Sequence, residues 1–386
     1  MRRVLVITRR YWPLVDDSTL RLMHLMESWR SRGVESTVLT GRWHAHWPEH
    51  SVLRDTPVVR LLPAPRTNWN EGQFQRNAVA WIQQRHQQWD AIYVDRGDGL
   101  LSAIAGKTNK WQLPLITRFT LEEPSTELAR SQWFSPAAVA DMVRRSDRVV
   151  VPNAFAQRVL KSHGIPSDQI TWIPDFVRYS VERHRAAREA ANAALYNVAT
   201  AFVRPARTDL IVHLGTADAK SLGEATLAVC DMLDRGLPIQ MWVVGAGPAT
   251  ETVYDSIKMR GWHREIQFFD PFDDIDELIA VADLAIVSNP SAALQFSAPL
   301  MVNSELPIIM AANVESTNWL PETHLMKWYD SREALVERMR DWSVHRQQWT
   351  LEAAALKAHQ RRHRPAEGML DLWQSILHPA QREARG

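Results

Sequence analysis

Short hydrophobic runs alternate with amphipathic stretches from the first residues onward. RRVLVITRR is a β-branched run, and TLRLMHLMESWRSRG places apolar residues on one helical face before it stops at Gly33. The strand pattern then returns in ESTVLTGRW. Strand, helix and strand in succession predict a β-α-β unit and favour a parallel sheet.

The same alternation continues through the first half of the chain. Further strands are predicted in PVVRLLP, DAIYVDR, LPLITRF, DRVVVPN and ITWIPDF. Helices are predicted over residues 71–88 and 154–163. These elements predict one doubly wound domain over residues 1–180.

A stretch rich in alanine and charge, VERHRAAREAANAALYNVATAF, predicts a helical linker over residues 181–205. The alternation then restarts, with strands in DLIVHLG, IQMWVVGAG, EIQFFDP, LAIVSNP and ELPIIMA and helices over 222–235, 249–260 and 273–281. It predicts a second domain over 206–365 and a C-terminal helix over 366–386 that returns toward the first. The expected fold is α/β, with two Rossmann-like domains that face a cleft.

Composition agrees with two globular domains, since 386 residues with 45% hydrophobic content can bury large cores. A single cysteine, Cys230, excludes an internal disulfide and fits a reducing compartment. The run VLVI near the start is too short for a signal peptide, and no stretch has the length of a membrane span. We therefore expect a cytoplasmic protein.

The net charge of +1 conceals an asymmetry between the two halves of the chain. Residues 1–185 carry 26 basic and 18 acidic residues, a balance of +8, whereas residues 186–386 carry 19 and 26, a balance of −7. The basic half could face an anionic acceptor or make a peripheral contact with an acidic inner membrane face. Attraction between the two halves explains the asymmetry equally well, and we expect no nucleic-acid partner.

Several motifs occur in an order and spacing that resemble one enzyme family. They are RYWP, RRSDRVVVPNAFAQRVL, ITWIPDFV, LIVHLGTADAK, WVVGAGP and ADLAIVSNPSAALQFSAPL. Together they resemble the retaining family 4 glycosyltransferases of the GT-B fold. The resemblance implies a nucleotide-diphosphate sugar as donor in the second domain and a sugar, lipid-linked or polysaccharide acceptor in the first, with neither cofactor nor metal. A nicotinamide enzyme ranks lower, because Thr250 stands where a dinucleotide fingerprint needs its third glycine.

In the donor half, the resemblance implies a phosphate loop at residues 215–220. The family's arginine position is occupied by Thr216, while Lys220 matches the family lysine after one deletion. A cation there would stabilise the departing diphosphate, so Lys220 is a catalytic candidate, although a solvated lysine near a helix start is an equal alternative. The glycines implied at the donor site are Gly215, Gly245 and Gly247.

The stretch SNPSAALQFSAPLMVNSELPIIMA lacks the family's paired glutamates. One alignment places them at Leu294 and Val302, and the other at Ala292 and Leu300. Backbone N–H groups near Ser297 could still hold phosphate at a helix start. The side chains expected to assist donor binding are those of Ser291, Phe296, Ser297, Asn303 and Ser304, with Glu305 as a further substitute.

On the acceptor side, two acids replace the family's Gly-Gly. The candidates are Tyr11, Asp16, Asp17 and Arg21, with salt bridging as the simpler explanation for the charged ones. After the predicted strand LPLITRF, Arg118 and Glu122 are catalytic candidates. Trp43, Trp47 and Trp69 could stack on sugar rings, although tryptophan more often packs in a core.

Two hypotheses follow from these residues. The first is a glycosyltransferase that moves a sugar with retention. The second is a catalytically degenerate GT-B-like protein that binds glycan, nucleotide or a partner protein. The missing glutamates and Thr216 favour the second, whereas the two-domain frame favours neither, because a fold does not determine a function.

Overall fold

The computed structural model describes residues 2–95, 99–120, 143–205, 207–272, 274–290, 293–317, 319 and 325–377. By its internal contacts the chain divides into two compact units. The first unit contains Met1–Leu14, Leu22–Pro174 and Glu367–Gly386, and the second contains Val15–Arg21 and Asp175–Ala366. The short segment Val15–Arg21 therefore belongs to the second unit, although it precedes most of the first in sequence.

The first unit is built on a twisted sheet whose strands run in the order β3-β4-β2-β1-β5-β6-β7-β8. All its neighbours pair in parallel except β3 and β4, which form an antiparallel pair at one edge. The strands are β1 Arg2–Ile7, β2 Val34–Gly41, β3 His50–Leu53, β4 Thr56–Leu61, β5 Ala91–Asp95, β6 Leu115–Arg118, β7 Arg148–Val151 and β8 Ile170–Trp172.

Helices connect these strands, as parallel pairing requires. Numbered over the described residues, they are α1 Asp17–Arg30, α2 Asn68–Gln83, α3 Gly99–Ala105, α4 Thr108–Trp111 and α5 Ala154–Ser162, with a 3-10 turn at His86–Gln88. Side chains close the starts of two of them. Thr67 accepts a hydrogen bond from the backbone N–H of Asn70 at α2, and Asn153 accepts one from Ala156 at α5.

The second unit has an all-parallel sheet in the order β11-β10-β9-β12-β13-β14. Its strands are β9 Asp209–Leu214, β10 Ile239–Val244, β11 Ile266–Phe269, β12 Leu284–Val287, β13 Ile308–Ala311 and β14 Lys327–Tyr329. Its helices are α6 Arg185–Val198, α7 Ala219–Asp234, α8 Ala249–Met259, α9 Asp276–Val281, α10 Ser297–Asn303, α11 Val314–Thr317, α12 Arg332–Val344 and α13 Arg346–His363.

The second sheet is buried on both faces, and the side chains of one strand alternate between two cores. On β9, Val212 and Leu214 belong to one apolar cluster and Ile211 to another. Trp242 and Met241 divide in the same way on β10. Continuous apolar runs such as DLIVHL thus arise because a parallel strand packs helices on both sides.

The structure confirms the predicted α/β class with two parallel sheets. Every strand predicted from a hydrophobic run is present, while the short strands β3 and β14 were not predicted. Within the predicted linker 181–205, the helix α6 Arg185–Val198 belongs to the second unit and contacts α9. Among the described residues, every helix is too short or too polar to cross a bilayer.

The last described helix, α14 Ala366–Leu377, packs within the first unit from Glu367 onward. The indole of Trp373 lies edge-on to Trp29, with ring centroids 5.1 Å apart, and to Tyr93, with centroids 5.4 Å apart. Arg32 donates to Asp371 over 3.1 Å. The aromatic contacts are buried and the ion pair is exposed. We therefore expect the indole to contribute more than the ion pair to the stability of α14 within the first unit.

We expect Trp373→Ala to lower the free energy of unfolding by about 3–5 kcal/mol, because it leaves a cavity beside Trp29 and Tyr93. Leu372→Ala, at the adjacent and partly exposed position of the same helix, is the matched control and should cost under about 1 kcal/mol. Urea denaturation measures both changes. Equal costs for the two variants would show that the indole does not hold the helix.

Candidate functional site

The candidate donor site lies at the carboxyl edge of the second sheet, where two adjacent strands end in glycine turns. Gly215 follows β9 with φ of 96°, and Gly245 follows β10 with φ of 78°. A Cβ added at Gly245 would lie 3.2 Å from the Cβ of Pro271. Glycine is required there both by the left-handed backbone and by this close approach. The N–H groups of the two glycines donate to the carbonyls of Val244 and Phe269, each over 3.0 Å.

In the phosphate loop predicted after β9, an aspartate side chain already accepts hydrogen bonds from the backbone N–H groups. Asp218 accepts hydrogen bonds from the backbone N–H groups of Lys220, at 3.0 Å, and Ser221, at 2.9 Å, at the start of α7. Partial burial raises the pKa of Asp218, but the bonds from Ser221 and Lys220 outweigh it and hold the pKa below its usual range. Lys220 is exposed, and the carbonyl of Thr216 accepts a bond from Asn289 over 3.3 Å.

A second acid occupies the start of α10. Both oxygens of the buried Asp17 carboxylate accept bonds: Oδ2 from the N–H groups of Gln295, at 2.8 Å, and Phe296, at 3.0 Å, and Oδ1 from the N–H of Ser297, at 2.7 Å. The Ser297 hydroxyl also donates to Oδ1 over 2.6 Å. The carboxylate therefore fills the anion position that the sequence suggested for donor phosphate.

This arrangement also places Asp17 differently from the sequence prediction. Asp17 was expected on the acceptor side, but it belongs to the second unit and its described contacts are with predicted donor-site residues. Burial raises its pKa to about 6, and the bonds from Ser297, Phe296 and Gln295 oppose that rise. At pH 7 the carboxylate is mostly ionised, with a charge that its hydrogen-bond donors only partly compensate.

The positions proposed for the missing glutamates lie in the core. Leu300 and Val302 are almost completely buried in α10, and Leu294 is 9% exposed. A glutamate at any of the three would bury a carboxylate among apolar side chains. Position 292 lies outside the described residues.

The polar residues at the end of α10 make hydrogen bonds and an ion pair with other protein segments. The buried Asn303 amide donates to the carbonyls of Val177 and Tyr179, and the Ser304 hydroxyl donates to Leu300 and accepts from the N–H of Val181. Glu305 has φ of 56° and pairs with Lys357 over 2.7 Å. Each of the three side chains therefore already binds protein groups, and their part in nucleotide binding stays a prediction.

The remaining predicted residues fall into different environments. Tyr11 is buried in the first unit, and Arg21 is buried in the second. Asp16 accepts from the N–H of Thr19 over 2.7 Å at the start of α1. Arg118 is buried at the end of β6, where its Cα pairs in register with that of Asp95 on β5. Glu122 and Ser291 lie outside the described residues.

Sequence reasoning missed a buried polar pair beneath the candidate site. His213 Nε2 lies 2.6 Å from the hydroxyl of Ser288, across β9 and the end of β12. Burial lowers the pKa of His213 to about 4, so the imidazole is neutral at pH 7. A histidine within the apolar run DLIVHL was the available signal, because a buried polar side chain requires a partner.

Two units, each built on a largely parallel sheet, define the fold: this is the GT-B fold found in solved glycosyltransferase structures. Residues 20–180 match the family model described as Glycosyltransferase Family 4. The predicted GT-B fold is confirmed, and over residues 20–180 the family match agrees with the resemblance predicted from the motifs. No curated protein sequence matches the chain.

Solved structures agree on the fold over nearly the whole chain. Sucrose-phosphate synthase from Thermosynechococcus elongatus has a TM-score of 0.71 at 13% identity, with 97% of this chain and 98% of that chain covered. HepE from Anabaena in complex with UDP and glucose has a TM-score of 0.69 at 13% identity, with coverage of 97% and 99%. WaaG, a glycosyltransferase involved in lipopolysaccharide biosynthesis, scores 0.64 at 13% identity, with coverage of 97% and 98%.

We expect Asp17→Ala to destabilise the protein by about 1–3 kcal/mol, because buried N–H groups at the start of α10 lose their acceptor. The folded-state pKa of Asp17 lies above its unfolded value of 3.8, so stability contributed by the wild-type side chain decreases as pH rises from about 4 to above 6. The cost of Asp17→Ala should therefore be larger at pH 4 than at pH 7.

Chemical denaturation at the two pH values measures this difference, and Asp255→Ala on the exposed face of α8 is the charge-matched control. A cost for Asp17→Ala that stays the same or grows toward pH 7 would contradict the assigned direction of the pKa shift.

His213 should give the opposite dependence on pH. Its folded-state pKa lies below its unfolded value of 6.5, so the unfolded state binds more protons and stability is lost as pH falls from about 6.5 to 4. We expect His213→Gln to flatten this loss, by up to about 3 kcal/mol across the interval. The free energy of unfolding as a function of pH measures it, with His163→Gln, on a part-exposed residue of the first unit, as control. Parallel curves for wild type and His213→Gln would contradict the assignment.

Proposed function

We propose that the protein is a glycosyltransferase that takes a nucleoside-diphosphate sugar at the carboxyl edge of the second sheet. The observation that carries the proposal is the pair of left-handed glycine turns at Gly215 and Gly245, which end two adjacent parallel strands at the sheet edge where open α/β folds bind their ligands. The family match and the fold support it, as do the structures of HepE in complex with UDP and glucose and with UDP-glucose.

The proposed transfer proceeds with retention and uses no metal or other cofactor. A departing nucleoside diphosphate gains negative charge and can itself take the proton of the attacking hydroxyl, so a protein base is not essential. Lys220, exposed at the start of α7, is the side chain proposed to stabilise that charge. The reaction is proposed to take place in the cytoplasm, at a membrane face if the acceptor is lipid-linked.

A second candidate function is favoured by Asp17. A diphosphate cannot accept the N–H groups of Gln295, Phe296 and Ser297 while the carboxylate holds them. Two unit charges about 4 Å apart repel by about 4 kcal/mol near a protein surface, which would weaken nucleotide binding by about a thousandfold. The alternative is a GT-B-like protein without transferase activity, whose donor unit no longer binds a diphosphate and which binds a glycan or a partner protein.

Nucleotide binding separates the two candidates. The purified chain is titrated with UDP, ADP and GDP, and binding is followed by thermal shift and calorimetry. A working donor site gives a saturable stabilisation by at least one nucleotide, and hydrolysis or transfer assays with the matching sugar then test the reaction. If no nucleotide stabilises the wild type but UDP stabilises Asp17→Ala or Asp17→Asn, the site exists and the carboxylate closes it. If none of the three proteins responds, the transferase proposal is wrong.

We expect Lys220→Ala to weaken nucleotide binding by about 1.5–3 kcal/mol, because it removes a cation that contacts the diphosphate. Lys258→Ala, on the exposed surface of α8, removes the same charge from the second unit and serves as the control. Calorimetric affinities for the nucleotide that binds best measure both. A Lys220→Ala variant that binds as well as Lys258→Ala would remove Lys220 from the site.

A further inference from the structure

A cavity of about 530 Å³ lies at the amino edge of the second sheet, and all its lining residues belong to the second unit. Asp283, which precedes β12, and Pro307, which precedes β13, form part of its wall. Gly215 and Gly245 follow strands at the opposite, carboxyl edge, and β9 spans six residues, about 20 Å, between the two edges. The cavity is therefore separate from the candidate donor site.

Two arginines that line the cavity lie side by side. Arg183 and Arg188 each donate from Nη2 to the carbonyl oxygen of Ala282, over 2.6 Å and 3.1 Å. Arg188 also donates from Nε to the carbonyl of Arg183 over 3.1 Å. One oxygen atom thus holds two guanidinium groups together, although their like charges repel. Burial, and after it the charge of Arg188, lowers the pKa of Arg183 to about 10.

Both guanidinium groups have unused hydrogen-bond donors. Each guanidinium carries five N–H groups. Arg183 uses three of them on backbone carbonyls, and Arg188 uses three on two carbonyls and the carboxylate of Asp283. Within the part of the chain that the structure describes, two N–H groups of each arginine therefore remain for a ligand.

Carboxylates compensate only part of the charge around these two arginines. Arg188 donates to Oδ1 of Asp283 over 2.8 Å, and Arg204 donates to Oδ2 over 2.6 Å. Arg183 forms no ion pair with any residue that the structure describes, since its three bonds go to carbonyls. Three guanidinium groups thus share one carboxylate, a surplus of about two charges, which the carbonyl dipoles at the end of α9 offset only in part.

The other charged groups that line the cavity are balanced or screened. Lys357 pairs with Glu305 over 2.7 Å, and Arg346 pairs with Asp209 at the start of β9. The side chain of Glu182 is 79% exposed, so solvent and salt screen its charge. The uncompensated positive charge therefore belongs to the three guanidinium groups that share one carboxylate.

This surplus and the unused N–H groups favour a doubly charged oxyanion as ligand. A phosphate monoester carries about −1.5 to −2 charges at pH 7 and three strong acceptor oxygens, whereas one carboxylate supplies a single charge. Guanidinium groups bind phosphate through paired N–H donors. The volume of the cavity also leaves room for the organic part of a small metabolite.

We propose that this cavity is a second anion site, in which Arg183 and Arg188 bind a phosphate group, either that of a small phosphorylated metabolite or inorganic phosphate. The site lies at the other edge of the sheet from the candidate donor site, so the inference does not rest on the proposed transfer. A bound phosphate would connect the segment before α6 to the residues that follow α9. It would therefore stabilise the second unit without occupying the donor site.

The test is calorimetry of the full chain with inorganic phosphate, together with thermal shift. Phosphate should bind saturably and raise the Tm, with an affinity that falls as the concentration of sodium chloride rises. Ribose 5-phosphate and ribose then distinguish the two sources of the phosphate group. Tighter binding of the ester than of inorganic phosphate indicates a metabolite, and equal or weaker binding indicates the free ion. Ribose itself should not bind.

We expect Arg183→Gln and Arg188→Gln each to weaken phosphate binding by about ten- to a hundredfold, because each removes charge-assisted donors. The matched control is Arg185→Gln, near the start of α6. The side chain of Arg185 is 93% exposed and pairs with Glu189, and neither residue lines the cavity. This control should bind phosphate as the wild type does.

A further variant adds charge to the cavity without removing a bond. Ser180 lines the cavity, and its side chain makes no hydrogen bond with the residues that the structure describes. Ser180→Asp introduces a carboxylate that repels phosphate, and it should weaken binding by at least about tenfold. If either arginine variant does not fold, as judged by its melting transition, Ser180→Asp decides the test.

Four results would overturn the inference. They are no saturable binding of inorganic phosphate or ribose 5-phosphate by the wild type, equal binding of ribose and its phosphate ester, and an equal loss in Arg185→Gln and Arg183→Gln. The fourth is a loss in Lys220→Ala with binding unchanged in Arg183→Gln, which would place the phosphate at the candidate donor site.

Discussion

The bond between Asp17 and the start of α10 is the constraint on which the second unit depends. A buried carboxylate is costly unless it is hydrogen-bonded, and N–H groups at a helix start are costly unless they find an acceptor. Here the two needs meet, because Asp17 accepts from Gln295, Phe296 and Ser297. This is why the segment Val15–Arg21 belongs to the second unit although α1 continues into the first.

The carboxyl edges of the two sheets carry different charged groups. In the second unit, Asp218 closes the start of α7 and Asp17 closes the start of α10, so acids hold N–H groups that the family resemblance assigns to phosphate. In the first unit, arginines surround Trp43.

Local pattern was enough to predict the sheets, because strands such as DLIVHL and IQMWVV are largely apolar runs and a glycine follows each of them. The strands β3 and β14 were missed because four or three residues are too few to show a period. The hydrogen bond between Asp17 and Ser297 could not be predicted from the sequence for another reason. It joins residues 280 positions apart, and no local periodicity reports such a contact. Burial does not distinguish the two alignments of the missing glutamates, because Leu300 and Val302 are both core positions.

What replaces the glutamates therefore cannot come from α10 itself. The side chains of α10 are buried in the core, and Asp17 accepts hydrogen bonds at its start. At its end, Asn303 and Ser304 bind protein carbonyls. Glu305 comes next, but its left-handed backbone and its bond to Lys357 direct it to another contact. Among the described candidates of this unit, Lys220 is exposed, whereas the N–H groups of Gly215 and Gly245 donate to Val244 and Phe269. Recognition of a nucleotide through Lys220 would favour the charge of the diphosphate over the identity of the ribose or base.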